Sequence, residues 1–185
     1  MIALPTEFPF IRVNAETLAL CESAWLRETL RTAAAKTQDV PPWLAEDVSK
    51  GVEAFLRNHY EGTVIEVADL FERIRAALEN LGLNHMAAEV ETVVPPVRIS
   101  LADLARRAGA GYELAFFRLL DDRLRASADG GVRTVVCYGL RRAVKQLASA
   151  EKWSARCRVL EDEITSHVNR ALCGRGPVQI TLRHD

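Results

Sequence analysis

Val93-Val94-Pro95-Pro96-Val97 decides how this chain is organised. Two consecutive prolines cannot continue a helix, and each pushes the residue before it toward extended backbone. On either side of this join the chain differs in the sign of its charge. Residues 1–92 carry 8 Lys and Arg against 15 Asp and Glu, whereas residues 93–185 carry 16 against 10. The 185 residues are 49% hydrophobic and 26% charged, an ordinary globular composition. The charge change at a helix-breaking join therefore predicts two units, an acidic domain over 1–92 and a basic domain over 97–185. The basic side suits phosphates, an anionic ligand or the acidic side itself.

Several classes drop out on composition. Charges recur too often for the roughly 20 apolar residues of a membrane span, so no membrane is expected. Pro5, Glu7 and Pro9 break the N-terminus and no positive leader precedes them, which argues against a signal peptide. Cys21, Cys137, Cys157 and Cys173 show no paired spacing. They read as free thiols in a reducing, cytoplasmic setting, with no metal site expected.

On the acidic side, residues 8–13 and 17–21 look like two short strands joined by an Asn14-Ala15-Glu16 turn. Ser23 is placed to cap a helix over 24–36, with Trp25, Leu26, Leu30, Ala33 and Ala34 inside. Pro42 opens the next helix, whose apolar face is Leu44, Val48, Val52, Phe55 and Leu56. Gly62 breaks it, and 63–65 crosses to a third helix over 67–81. Leu70, Phe71, Ile74, Ala77, Leu78 and Leu81 form its stripe. Gly82 stops it, and Asn84 is placed to cap a short last helix. The expected core is Trp25, Leu30, Val48, Phe55, Leu70, Ile74 and Leu78.

Four stretches in this half are Ala45-Glu46-Asp47-Val48, Gly62-Thr63-Val64-Ile65, Leu78-Glu79-Asn80-Leu81-Gly82 and Ala87-Ala88-Glu89-Val90. With the hairpin before them, they resemble the ATP-cone. That is the small regulatory nucleotide-binding domain of ribonucleotide reductases and of their bacterial repressor. The family opens with a β-hairpin carrying V-x-K-R-D-G, followed by a bundle of four helices. Aligned on it, the signature here is Ile11-Arg12-Val13-Asn14-Ala15. Arg12 alone keeps a positive charge, Asn14-Ala15 replaces the Asp-Gly turn, and Val90 stands where Tyr is usual. The resemblance spans about half the chain. It implies a hairpin-plus-bundle fold, ATP or dATP with Mg as ligand, and Arg12 and Asn14 as binding residues. Loss of the Lys and the Gly implies a weakened grip on phosphate.

On the basic side, Ser100 with Asp103 is close to a capping box opening a helix. Leu-x-x-Leu-Ala-x-x-Ala-Gly over 101–109 looks like the first helix and turn of a helix-turn-helix protein. The second helix, over 112–126, begins with Tyr112, Glu113 and then apolar residues, a poor reader of base edges. Arg107, Arg118 and Arg125 are the DNA-contact candidates on that alternative. Gly130-Gly131 opens the best strand of the chain, 132–138. After Gly139, a helix over 140–148 exposes Arg141, Arg142 and Lys145. Ser154 is placed to cap a long helix with Cys157, Leu160, Ile164, Val168 and Leu172 inside. Residues 178–182 alternate as a strand that pairs either with 132–138 or with the N-terminal segment.

The expected fold class is therefore α+β and mostly helical. It comprises an N-terminal hairpin with a helical bundle, then an α+β unit with two or three short strands. His59, His85, His167 and His184 are scattered, and no phosphate-binding loop, nucleophile elbow or dinucleotide fingerprint occurs. No catalytic residue is assigned, and a non-enzymatic regulatory role is expected, nucleotide sensing first. A helix-turn-helix DNA-binding regulator and a helical protein-interaction module, partnered or homo-oligomeric, are the alternatives.

Overall fold

Short β-branched and aromatic runs at 10–12 and 64–66 favour extended chain, and they meet. In a computed structural model, which describes residues 8–37, 40–172 and 179–183, the chain forms eight helices and two three-stranded sheets. The fold is a mostly helical α+β arrangement. It divides into two compact units, Met1–Pro95 and Pro96–Asp185. Asp39, Cys173, His184 and the Gly and Pro residues of 174–177 lie outside the described residues.

In unit 1, β1 (Phe10–Arg12) pairs antiparallel with β2 (Leu18–Leu20), Ile11 opposite Ala19. The Asn14 side chain makes the turn, its Oδ1 accepting from the Glu16 N–H at 3.0 Å. The 63–65 crossing contains a strand. β3 (Val64–Glu66) runs parallel to β1 with Ile65 beside Ile11, and the Tyr60 hydroxyl donates to the Val64 carbonyl at 2.8 Å. Four helices complete the unit: α1 (Ser23–Ala35), α2 (Pro42–Asn58), α3 (Val67–Asn80) and α4 (Asn84–Glu89). Ile11, Ile65, Leu26, Leu30, Phe71, Ile74, Leu78 and Met86 belong to one buried cluster.

Three local expectations need correction. Ser23 and Asn84 are the first helical residues rather than caps; Glu22 and Leu83 hold the cap positions, without a side-chain bond. Phe55 is not core. Within α2 the buried residues are Ala45, Ser49 and Leu56, while Leu44, Val48 and Val52 are half-buried and Phe55 is 38% exposed. Trp25 is likewise only half-buried, packed edge-on against Phe71 at 5.9 Å.

In unit 2 all three strands are parallel, in the order β4 (Val97–Ser100), β5 (Thr134–Tyr138), β6 (Gln179–Leu182). Helices α5 (Leu101–Ala108) and α6 (Glu113–Asp129) join the first two strands. Helices α7 (Leu140–Leu147) and α8 (Ala155–Leu172) join the second and third. The C-terminal strand thus pairs with β5, and Val97-Arg98-Ile99 is a strand in its own right. Val97, Ile99, Val135 and Cys137 are buried, whereas their neighbours Arg98, Val136 and Tyr138 are not. The Ser100 hydroxyl accepts from the Asp103 N–H at 3.2 Å, so the cap expected there forms. Ser154 does the same for Cys157 at 3.4 Å. Gly139 stands at the turn from β5 into α7 with φ of 76°. An added Cβ would lie 3.3 Å from that of Ala102, so glycine serves both the left-handed backbone and the close approach.

Candidate functional site

Arg12 ends β1 beside Glu66, its register partner on β3. The guanidinium donates to the Glu66 carboxylate at 3.0 Å, and both side chains are about half exposed, 46% and 48%. Asn14 commits its side-chain oxygen to its own turn. The cation carried over from the hairpin signature is therefore engaged by a neighbouring acid. Sequence reasoning missed Glu66, because a partner 54 positions away shows only once β1 and β3 pair.

Behind the hairpin lies an unusual set of atoms. Thr17 Oγ1, Trp25 Nε1, Ser49 Oγ and Glu53 Oε1 are buried without a hydrogen-bond partner. They come from the hairpin, α1 and α2, and Ser49 and Glu53 are one turn apart on α2. Cys21 belongs to the same region. Burial, with the Glu53 carboxylate adding to it, pushes its thiol up to about 11. Buried polar side chains in folded domains nearly always find a partner, so these four stand out.

On another side of α2 a groove of about 560 Å³ runs between α2 and α3. Leu44, Val48, Val52 and Phe55 line one wall, and Leu70, Ile74, Ala77 and Leu81 line the other. Asp47, Arg73 and Asn80 are its polar residues. Leu81 is 66% exposed, and Trp43, at the start of α2, 62%. The stripe was visible in the sequence as apolar spacing; that its outer edge, at Phe55 and Leu81, stays exposed was not.

In unit 2, Arg107, Arg118 and Arg125 are exposed, and Arg118 and Arg125 lie two turns apart on one side of α6. Arg107 is near the end of α5, and Arg125 pairs with Asp122 at 3.9 Å on α6. The first turn of α6 presents Glu113, held by Arg156 at 2.7 Å, and Leu114, which is 83% exposed. His167 Nε2 lies 2.7 Å from an Asp121 oxygen, with the Phe117 ring beside the imidazole, tying α6 to α8. Ser166 precedes it on α8, and both line a cleft of about 500 Å³ together with Asp162, Glu163 and Arg170. Burial pushes the Cys137 thiol up to about 12. Hydrogen bonding from Ser154, through its side chain and then its backbone, pulls the Cys157 thiol down. Cys157 is nevertheless sealed from solvent, where a reactive thiol needs access.

Among the described residues, no group of three or more His, Cys, Asp or Glu is placed to hold a metal ion. No helix of the described residues is long and apolar enough to cross a membrane. No protein family, curated protein or solved structure matches the chain.

Proposed function

We propose that the chain is a non-catalytic regulatory protein that senses an adenine nucleotide, ATP or dATP with Mg, through unit 1. The observation that carries this reading is the set of four buried, unpartnered polar atoms on the hairpin, α1 and α2. A hairpin followed by four helices is also the order that the ATP-cone resemblance implies. The donors and acceptors suit a nucleoside. Trp25 Nε1 donates, Glu53 Oε1 accepts, and the Thr17 and Ser49 hydroxyls do either. The triphosphate end fits less well, because Arg12 must leave Glu66 to meet a phosphate. Binding near millimolar, with adenosine keeping much of the affinity, is the consequence.

Calorimetry with ATP, dATP and adenosine in Mg²⁺ tests this on the full chain. Losing a charge-assisted contact costs roughly 1.5–3 kcal/mol, so Arg12→Ala should weaken ATP roughly tenfold to a hundredfold and leave adenosine alone. Ser49→Ala and Glu53→Gln should weaken both ligands. No heat with any of the three at millimolar concentration sinks the reading.

A further inference from the structure

We propose that the open side of the unit 2 sheet binds single-stranded nucleic acid, with Tyr138 as its stacking platform and Arg98 and Arg183 beside it. This site is independent of the nucleotide reading of unit 1. Strands β4, β5 and β6 are parallel and lie side by side in chain order. Crossovers between parallel strands are almost always right-handed, which puts α5–α6 and α7–α8 over the same side of the sheet. Helix α5 accordingly packs against α7. Val97, Ile99, Val135 and Cys137 point to that side and are buried. Parallel sheets are normally covered on both sides. On the other side of this one no described residue of the strands is buried: Arg98, Gln179 and Thr181 are exposed, and Thr134, Val136 and Tyr138 half-buried.

Register sets the chemistry of the open side. Val136 lies between Arg98 on β4 and Thr181 on β6, and Ser100 stands opposite Tyr138. The Arg183 N–H donates to the Cys137 carbonyl at 2.9 Å, so the ladder runs one residue past β6. Arg183 thereby keeps the alternation of Gln179 and Thr181 and shares their side. The Arg98 guanidinium lies over the Tyr138 ring, 5.2 Å from its centroid. No Asp or Glu occurs in the three strands. The side offers a ring and a guanidinium plane for bases, Arg183 for a phosphate, and the hydroxyls of Thr134 and Thr181 for sugars or base edges. A duplex keeps its bases stacked inside, out of reach of a sheet face, whereas a single strand lays them on it. An acidic polypeptide would use the arginines and leave the ring idle, so the ring selects the occupant.

Fluorescence anisotropy on the full chain tests this, with labelled oligouridylate and oligothymidylate of about 12 nucleotides. At low salt both should bind below about 100 µM protein, and binding should weaken as salt rises. Tyr138→Ala should weaken it roughly tenfold to a hundredfold, and Tyr138→Phe should leave it unchanged, because stacking needs the ring and not the hydroxyl. Arg183→Ala should flatten the log–log salt dependence by about 0.7, the loss of one phosphate contact on a single strand. Thr181→Glu, at an exposed position that leaves the fold intact, should weaken binding about tenfold by repelling phosphate. No anisotropy change at the top concentration overturns the proposal. So does binding that neither Tyr138→Ala nor Thr181→Glu weakens. A preference for duplex that Arg118→Ala abolishes overturns it in favour of a site on α6. Polyglutamate that competes as well as unlabelled oligouridylate overturns it in favour of an acidic polypeptide.

Discussion

Helices α2 and α7 are both amphipathic, yet only α7 has its apolar stripe wholly covered. Leu140, Ala143, Val144 and Leu147 of α7 are all fully buried, with α5 and α8 packed against the helix. On α2 the buried edge is Ala45, Ser49 and Leu56, and the larger Leu44, Val48, Val52 and Phe55 face an open groove. Adjacent positions on a helix lie about 100° apart, so Ala45 and Leu44 report different sides. Small side chains at 45 and 49 let α2 lie close to α1, its main packing partner. An apolar stripe states that a face is better covered; it does not state that the same unit covers it.

Two neighbouring residues of α2 carry the largest expected contrast. Leu56 is 2% exposed and Phe55 38%. Leu56→Ala should lower the free energy of unfolding by about 2–5 kcal/mol, and Phe55→Ala by less than about 1 kcal/mol. Equal losses in urea titrations mean that the two faces of α2 have been misassigned.

Next comes pH. Cys137, on the covered side of β5, has a folded value near 12 against an ordinary 9.0. Below pH 9 the thiol is protonated whether folded or not, and its contribution is intact. Above that the unfolded chain releases the proton first, so stability falls by about 1.4 kcal/mol per pH unit until the folded value is reached. Cys137→Ala should lessen the slope above pH 9, leaving the part due to Cys21, and lower stability by a constant amount below it. An identical slope in the variant means that water reaches the thiol.

The caps separate the units on a smaller scale. Ser100→Ala loses the bond from Asp103 and should cost about 1 kcal/mol, whereas Ser23→Ala, which loses none, should stay within about 0.5 kcal/mol. Smallest is a gain. Gly51 lies inside α2, and an added Cβ would meet nothing within 4 Å. Gly51→Ala should stabilise the fold by roughly 0.5–1 kcal/mol. A loss instead would mean that the groove is already filled at that position.

Helical spacing made the eight helices legible, most of them to within a residue or two. Leu70, Ile74 and Leu78 were read as core and are buried, whereas Ala77 and Leu81 of the same stripe are exposed. Caps were legible where the hydroxyl has an N–H three residues on, at Ser100 and Ser154, and misplaced where the chain enters the helix one residue earlier. Arg12 and Asn14 were read as binding residues; the structure places them at an ion pair with Glu66 and in the hairpin turn. Thr17, Trp25, Ser49 and Glu53 carry no local pattern; they become notable only when packing leaves their polar atoms buried and unpaired.

The sequence alone determined the helical periods, the charge difference between the halves and the proline break between them, because each depends on residues close along the chain. Tertiary structure decided the rest. Pairing of β1 with β3 set Glu66 against Arg12, 54 residues away, and parallel pairing of β5 with β6 chose between two partners open to the same alternating strand. It also decided which side of α2 stays bare. Burial is a property of what arrives from elsewhere in the chain, and periodicity carries no record of that.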